Sequence, residues 1–364
     1  MSGGILLIAK STGSKPVGGR ELLSHMYRET LREICSPQFH LLELPAEPTT
    51  GLRSRLSLFR GHIDGVSIQS IDRVLVLANS IGVKRIFLDG SNLGVIAAAF
   101  KRSMPNIEIL TFFHNVETRF FWGSWRSTRS LHALAVLAAN YVAERKAVLY
   151  SDKRVCMSIR DSKLLEVIFG MGATHISPMV VAKTSTQSST SDPAIPDGPY
   201  ALFVGGAFYA NILGISWFVR EVASRISVQI VIVGHGFENL KSQLEINDRI
   251  KVVGPVHNLA DWYGMAKFVI APIFDGSGMK TKVAEALMFG KKIVGTPEAF
   301  SGYETICEKA GWVCETADEF VEAISMATDE NSISSDLSLR AVYEENFSQE
   351  CLLVRVRSIL DDKI

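Results

Sequence analysis

The sequence predicts an α/β protein built from two doubly wound domains. Three observations carry that expectation. Short apolar runs rich in β-branched residues alternate with segments of helical period through both halves of the chain. A stretch poor in large apolar residues, Lys183 to Pro199 (KTSTQSSTSDPAIPDGP), interrupts the alternation near the middle. Several strands end in glycine or polar turns, the place where open α/β sheets bind ligands. The expected organisation is a first domain over 1–183, a linker over 184–199 and a second domain over 200–364.

In the first half, Ile5–Ala9 reads as a buried strand, Ser11–Gly19 as a loop and Arg20–Ile34 as a helix. Gly18 and Gly19 at the helix start would let an anion approach its free N–H groups; a plain flexible connection is the alternative reading. Strands follow at Phe39–Leu44, Arg85–Leu88 and Ile107–Phe113, with helices at Ile68–Ile81 and Leu93–Ser103. His114 comes directly after the last of these strands, in FFHNVE. From local pattern it is equally a helix cap or a ligand contact. Arg119, Arg126 and Arg129 then interleave with Phe120, Phe121, Trp122 and Trp125. That mixture suits a membrane interface, an acceptor of sugar and pyrophosphate, or ordinary packing beneath solvated arginines. Leu131–Tyr150 and Ser162–Phe169 read as helices flanking a strand at Arg154–Ile159. Asn140, Glu144, Arg145 and Lys146 exclude the first of them as a membrane span.

The second half restarts with strands at Tyr200–Val204, Val228–Val233 and Ile250–Val253, the last two ending in Gly234 and Gly254. The stretch that organises it is FVIAPIFDGSGMKTKVAEALMFGKKIVGTP, Phe268 to Pro297. Phe268–Ile273 reads as a strand; Asp275, Gly276, Ser277 and Gly278 form a tight turn. From Met279 the period is helical, with Met279, Val283, Ala286 and Leu287 on one face and Gly290 closing the helix. A glycine turn opening a helix presents unpaired N–H groups at the positive end of the helix dipole. Lys280 and Lys282 add two mobile cations, and Glu285 lies where a carboxylate would accept sugar hydroxyls. Phosphate at the turn and a sugar along the helix fit this set, so a nucleotide sugar is the expected ligand.

Composition bounds the rest. The chain of 364 residues is 47% hydrophobic and 21% charged, enough for two cores. Its net charge is zero, yet residues 1–183 hold 23 Lys+Arg against 14 Asp+Glu, or +9, and residues 184–364 carry the opposite −9. Such asymmetry suggests either an anionic partner for the first half or attraction between the two domains. Five scattered cysteines without C-x-x-C spacing fit reduced thiols in the cytoplasm and no metal site. No signal peptide is expected at the N-terminus. Nucleic acid is a poor partner, since the acidic half offers no basic surface.

The run DGSGMKTKVAEALMFGKKIVGTPE resembles the donor-binding segment of GT-B glycosyltransferases of the retaining family 4, which carry GSGxKxKxxEAxxxGxPVVxTxxG. The resemblance covers nearly the whole chain and implies two Rossmann-like domains facing a central cleft. It implies an acceptor-binding first domain, a nucleotide-sugar-binding second domain, and a last helix, Glu350–Leu360, crossing back to the first. It assigns donor contacts to Gly276, Ser277, Gly278, Met279, Lys280, Lys282 and Glu285, with Gly234 lining the cleft. It also puts Val256, in Pro255–Asn258, beside the nucleotide base. Gly18 and Gly19 match the family's acceptor loop, where Arg20 replaces a small residue; Arg20 and Arg119 are the further acceptor candidates. His114 matches the histidine that contacts the transferring sugar, and Ser158 with Asp161 forms a weaker match. The expected catalytic group is His114, Lys280 and Asp275.

Two departures stand out. Gly206 and Asn211 occupy the region where many members carry an arginine and a lysine on the diphosphate. At the first position of the family's E-x7-E pair stands Ser277, with Asp275 nearby as a substitute. The implied reaction transfers a hexosyl-type residue to a hydroxyl of a carbohydrate or lipid-linked acceptor, with retention and without cofactor or metal. The expected setting is the cytoplasm, in peripheral contact with an anionic membrane surface on its inner face. A nucleotide-sugar-binding module without turnover, or an epimerase or phosphorylase of the same fold, are the rival readings.

Overall fold

The computed structural model describes residues 4–11, 19–45, 57–183, 195–276, 278–329 and 335–362. The chain divides into two compact units, Met1–Pro178 with Leu352–Ile364, and Met179–Cys351. Gly18, Ser277 and residues 184–194 of the expected linker lie outside the described residues.

The first unit runs β1 (Ile5–Lys10), α1 (Gly19–Cys35), β2 (Phe39–Leu44), α2 (Ile68–Ile81), β3 (Arg85–Asp89), α3 (Gly94–Ser103), β4 (Glu108–Phe113), α4 (Glu117–Thr128), α5 (Leu131–Tyr150), β5 (Lys153–Cys156), α6 (Ile159–Phe169) and β6 (His175–Ile176). Its sheet has the order β2-β1-β3-β4-β5-β6, and every pair is parallel. Both faces of the central strands are covered, so they are continuous apolar runs rather than alternating ones. Leu6, Ile8, Ile86, Leu88 and Ile109 pack with Val74, Ile96 and Phe100 from the helices in one cluster. Ser67 and Ser70 form a capping box at the start of α2, and Gly82 ends that helix in the left-handed region.

The second unit runs β7 (Tyr200–Val204), α7 (Tyr209–Glu221), β8 (Gln229–Val233), α8 (Lys241–Leu244), β9 (Ile250–Gly254), α9 (Leu259–Met265), β10 (Phe268–Ala271), α10 (Thr281–Met288), β11 (Ile293–Gly295), α11 (Cys307–Ala310), β12 (Gly311–Val313), α12 (Ala317–Asp329) and α13 (Leu337–Asn346). Its parallel sheet has the order β12-β11-β10-β7-β8-β9. The last helix, α14 (Gln349–Asp361), counts with the first unit from Leu352 onward. There the fully buried Lys153 donates to the carbonyls of Ile359 and Asp362 at 2.8 and 2.5 Å and pairs with Glu108 at 2.8 Å.

Three elements differ from expectation. The strand expected over Phe268–Ile273 stops at Ala271, because Pro272 has no N–H for the ladder. The strand expected over Arg154–Ile159 stops at Cys156, and Ser158 caps α6 instead. The aromatic and arginine stretch after His114 is itself a helix, α4.

In both sheets chain order reverses beside the first strand, between β1 and β3 and between β7 and β10. Loops leaving the C-terminal ends of those strands diverge and open a crevice. Close helix packing supports the first of them. Gly94 opens α3 against α5, where an added Cβ would lie 2.0 Å from the Ala143 carbonyl oxygen. Gly94→Ala is expected to destabilise the first unit by about 1–3 kcal/mol through overpacking, read as a lower urea midpoint.

Candidate functional site

The second unit's crevice holds the glycine turn singled out by sequence. Gly276 and Gly278 have φ of 139° and 65°, values that side-chain-bearing residues rarely adopt. Asp275 Oδ1 accepts the Gly276 N–H at 2.8 Å, an interaction that shapes the turn. Lys280 takes the N-cap position of α10, and its Nζ reaches the Gly278 carbonyl at 2.8 Å and Glu298 Oε1 at 3.0 Å. The buried Tyr303 hydroxyl donates to the Lys280 carbonyl at 3.0 Å. Behind the turn, the Thr296 hydroxyl donates to the Ile273 carbonyl, tying the loops after β10 and β11 together.

Lys282 is the most constrained cation. Only 8% exposed, it donates to Asn211 Oδ1 at 3.0 Å and holds Nζ 4.1 Å from the Phe203 ring centroid. Burial pushes the ammonium down to about 7, helped by Lys280 and opposed by Glu285. Asn211 also donates to the Gly206 carbonyl at 2.8 Å. A Cβ on Gly205 would come within 2.5 Å of the Asn211 amide nitrogen and 3.3 Å of Lys282 Nζ. Glycine at 205 is what lets the three groups meet. Glu285 Oε2 accepts from the Tyr263 hydroxyl at 2.7 Å, and burial raises this carboxyl against the pull of Tyr263 and Lys282.

These contacts correct one expectation. Lys280 and Lys282 are not mobile cations: one is paired with Glu298, and the other is enclosed by Asn211 and Phe203. Met279 is also a core residue, whose sulfur accepts the Met179 N–H at 3.3 Å and fills the space beside Gly302. Gly234 has φ 148° and lies against the Gly205 carbonyl, where a Cβ would approach to 1.8 Å. Val256 is half-buried and His257 exposed, in the loop after β9.

The first unit's crevice centres on His114, which is buried at the end of β4. Its Nε2 meets Asp89 Oδ1 at 2.8 Å and Ser24 Oγ at 3.5 Å, and Phe112 packs edge-on at 4.7 Å. An ionised carboxylate only accepts, so Nε2 carries the proton in this contact and Nδ1 is the acceptor of a neutral ring. Nδ1 is buried without a hydrogen-bond partner among the described residues. Burial alone would raise Asp89, but His114 and the Ser24 hydroxyl hold its carboxyl below the ordinary range.

Arg20, next to the half-buried Gly19 at the start of α1, pairs with Glu117 at 3.1 Å. Arg119 is half-buried on α4. Glu144 is fully buried and accepts from the N–H groups of Glu117 and Thr118, both at 2.9 Å, and from the Ser91 hydroxyl at 3.0 Å. Burial pushes it up to about 7. The Ser158 hydroxyl donates to Asp161 and accepts the Asp161 N–H, an N-cap of α6. Asp89, Tyr263 and Glu298 were missed in sequence, because each reaches its partner only through tertiary packing, and Asn211 was noted there only as a departure from the family pattern. The one signal was placement: Asp89 ends a strand at the switch point.

Among the described residues, no group of three or more His, Cys, Asp or Glu is arranged to hold a metal ion. No helix there is long and apolar enough to cross a membrane.

Comparison with known proteins relates this arrangement to one family model and to a set of solved folds. Residues 198–330 match the family model described as glycosyl transferases group 1. Sucrose-phosphate synthase from Thermosynechococcus elongatus aligns with a TM-score of 0.75 at 16% identity, over 98% of both chains. A glycosyltransferase from Rickettsia africae gives 0.68 at 13% identity over 100% of both chains. Anabaena HepE, solved with UDP-glucose, gives 0.65 at 12% identity over 98% of this chain and 99% of its own. No curated protein matches the chain. The likeness to these structures is one of fold, the two Rossmann-like domains of the GT-B fold, and the match to the group 1 glycosyl transferase model falls within the second unit.

The depressed Lys282 sets a pH dependence. An unfolded lysine binds its proton up to about 10.4, whereas the folded one gives it up near 7. The unfolded chain therefore holds more protons between these values, and stability rises with pH across that window. Lys282→Met is expected to flatten this rise in urea unfolding followed from pH 7 to 10.

Proposed function

We propose that this protein moves a hexosyl-type residue from a nucleoside diphosphate sugar to a hydroxyl, with retention at the anomeric carbon. The acceptor in this reading is a lipid-linked or surface-polysaccharide intermediate, met on the inner face of the cytoplasmic membrane. One observation carries the donor side: two lysines and a glycine turn converge at the second unit's switch point, on a domain matching group 1 glycosyltransferases. HepE of Anabaena was solved with UDP-glucose, which supports a nucleotide sugar here and makes uridine diphosphate the first probe.

In the proposed reaction the diphosphate gains charge as the anomeric bond breaks. The N–H groups of Gly278 and Met279 and the ammonium of Lys280 stabilise it, an electrostatic rather than nucleophilic contribution. Lys280 exchanges Glu298 for a phosphate oxygen. Lys282 takes up a proton as the anion arrives, because an adjacent negative charge favours its charged form. Asp275, which shapes the turn, takes the place of the family's first carboxylate. Glu285 receives a sugar hydroxyl beside its bond to Tyr263. The first unit's part is assigned to His114, whose Nδ1 accepts a hydroxyl of the transferring sugar while Asp89 fixes the ring. Gly18, Gly19, Arg20 and Arg119 are assigned to the acceptor.

The reading is tested by thermal shift with UDP, GDP, dTDP and their sugar conjugates, followed by transfer or hydrolysis of whichever donor binds. One nucleotide is expected to raise the midpoint, and Lys280→Ala to abolish that shift. His114→Ala is expected to keep the shift and lower turnover by roughly 100-fold or more. A folded protein that no nucleotide stabilises would overturn the donor site. Binding without turnover on any donor would make the chain a nucleotide-sugar-binding module.

A further inference from the structure

We infer that the corner between α4 and α5 is a docking surface for an anionic lipid bilayer. Arg119, Trp122, Arg126 and Arg129 are spaced three, four and three residues apart, which sets them along one side of α4 and its C-cap. Trp122 is 46% exposed, and Arg126 and Arg129 are exposed beside it. The stripe continues onto the first turn of α5, where Leu131 is 84% and Leu134 41% exposed. The Trp122 and Trp125 rings lie 5.1 Å apart, and the Arg129 guanidinium sits 5.1 Å from the Trp125 ring centroid. Aromatic bodies and cationic heads are thus layered together, as a lipid headgroup boundary requires.

Charge complementarity selects the occupant. No Asp or Glu occurs between Glu117 and Glu144, while three arginines and His132 do. The exposed aliphatic residues of α2 and α6 have carboxylates beside them instead. Ile68 and Val76 of α2 flank Asp72, and Val167 of α6 follows Glu166. A single apolar residue beside a carboxylate is repelled by anionic headgroups, whereas the α4–α5 corner is attracted to them. Arginines draw the corner to the surface, and Trp122, Leu131 and Leu134 then bury apolar area at the acyl boundary. The inference deepens the proposed function by naming where a lipid-linked acceptor is met. It rests on that reading for its purpose, while lipid binding itself needs neither donor nor acceptor.

The test is co-sedimentation of the full chain with phosphatidylcholine vesicles, neutral or containing about one-third phosphatidylglycerol. Wild type is expected to partition onto the anionic vesicles and to be released by salt. Each basic residue contributes about 1 kcal/mol, roughly fivefold, so Arg126→Gln with Arg129→Gln is expected to weaken partitioning roughly 25-fold. Trp122→Ser with Leu131→Ser is expected to weaken it about tenfold or more, and Arg126→Lys with Arg129→Lys to preserve it. These side chains are exposed, so circular dichroism and the nucleotide thermal shift are expected to stay unchanged. Equal partitioning onto neutral vesicles, no partitioning at all, or double variants that bind like wild type would each overturn the surface. An intact nucleotide shift in such a result confines the failure to the lipid surface; a missing one extends it to the proposed function.

Discussion

An ammonium group taken out of water must be held by acceptors or give up its proton, and Lys282 does some of each. Its enclosure by Asn211, Phe203 and Glu285 dictates the residues around it. Gly205 must lack a Cβ for Asn211 to reach both the lysine and the Gly206 carbonyl. Gly234 must lack one for its loop to lie on Gly205. Helix α10 must begin where it does to carry Lys282 inward while Lys280 stays at the turn. Three loops from neighbouring strands are therefore fixed by one buried charge. The same burial leaves the lysine reluctant to be charged even with Glu285 beside it. In the proposed function, an arriving diphosphate restores what burial removed, so the anion and the proton bind together.

The first unit uses the opposite device. His114 is held by a carboxylate that burial should have neutralised, and that the histidine itself keeps ionised. The pair fixes which nitrogen carries the proton and leaves the other as a buried acceptor without a partner among the described residues. Beneath it, Glu144 gathers the first N–H groups of α4 and the Ser91 hydroxyl, holding the turn that follows His114. This carboxylate sits in the middle of a helix that reads as nearly apolar, and its polarity serves a neighbouring helix rather than its own.

The fold was legible because parallel α/β sheets write themselves as contiguous apolar strands separated by periodic helices. β2, α2 and α5 begin and end where their patterns do. The glycine turn was legible too, since a strand, a run of glycines and a change of period within a few residues leave few alternatives. What sequence could not show was who partners whom. Lys280 and Glu298 are separated by a helix and a strand, Lys282 and Asn211 by three strands, and His114 and Asp89 by a whole βα unit. Nothing local marks such pairs. Reading Lys280 and Lys282 as free cations followed from assuming that lysines near a helix start face water, which tertiary burial overrode. Helix α4 was hidden for a related reason: it buries so little of itself that its stripe is cationic and aromatic instead of apolar.

The two departures from the family's donor pattern bear on the two lysines separately. Where many members carry an arginine and a lysine after the first strand, this chain has Gly206 and Asn211, and Asn211 serves as a ligand to Lys282. Where they carry a first carboxylate in the turn, Ser277 stands, and a carboxylate that pairs with Lys280, Glu298, comes from the loop after β11. The site holds its two lysines by Glu298, Asn211 and Phe203. In the proposed function, a diphosphate meets two lysines whose positions were set before it arrived, and preorganised charge stabilises a leaving group better than mobile charge of the same size.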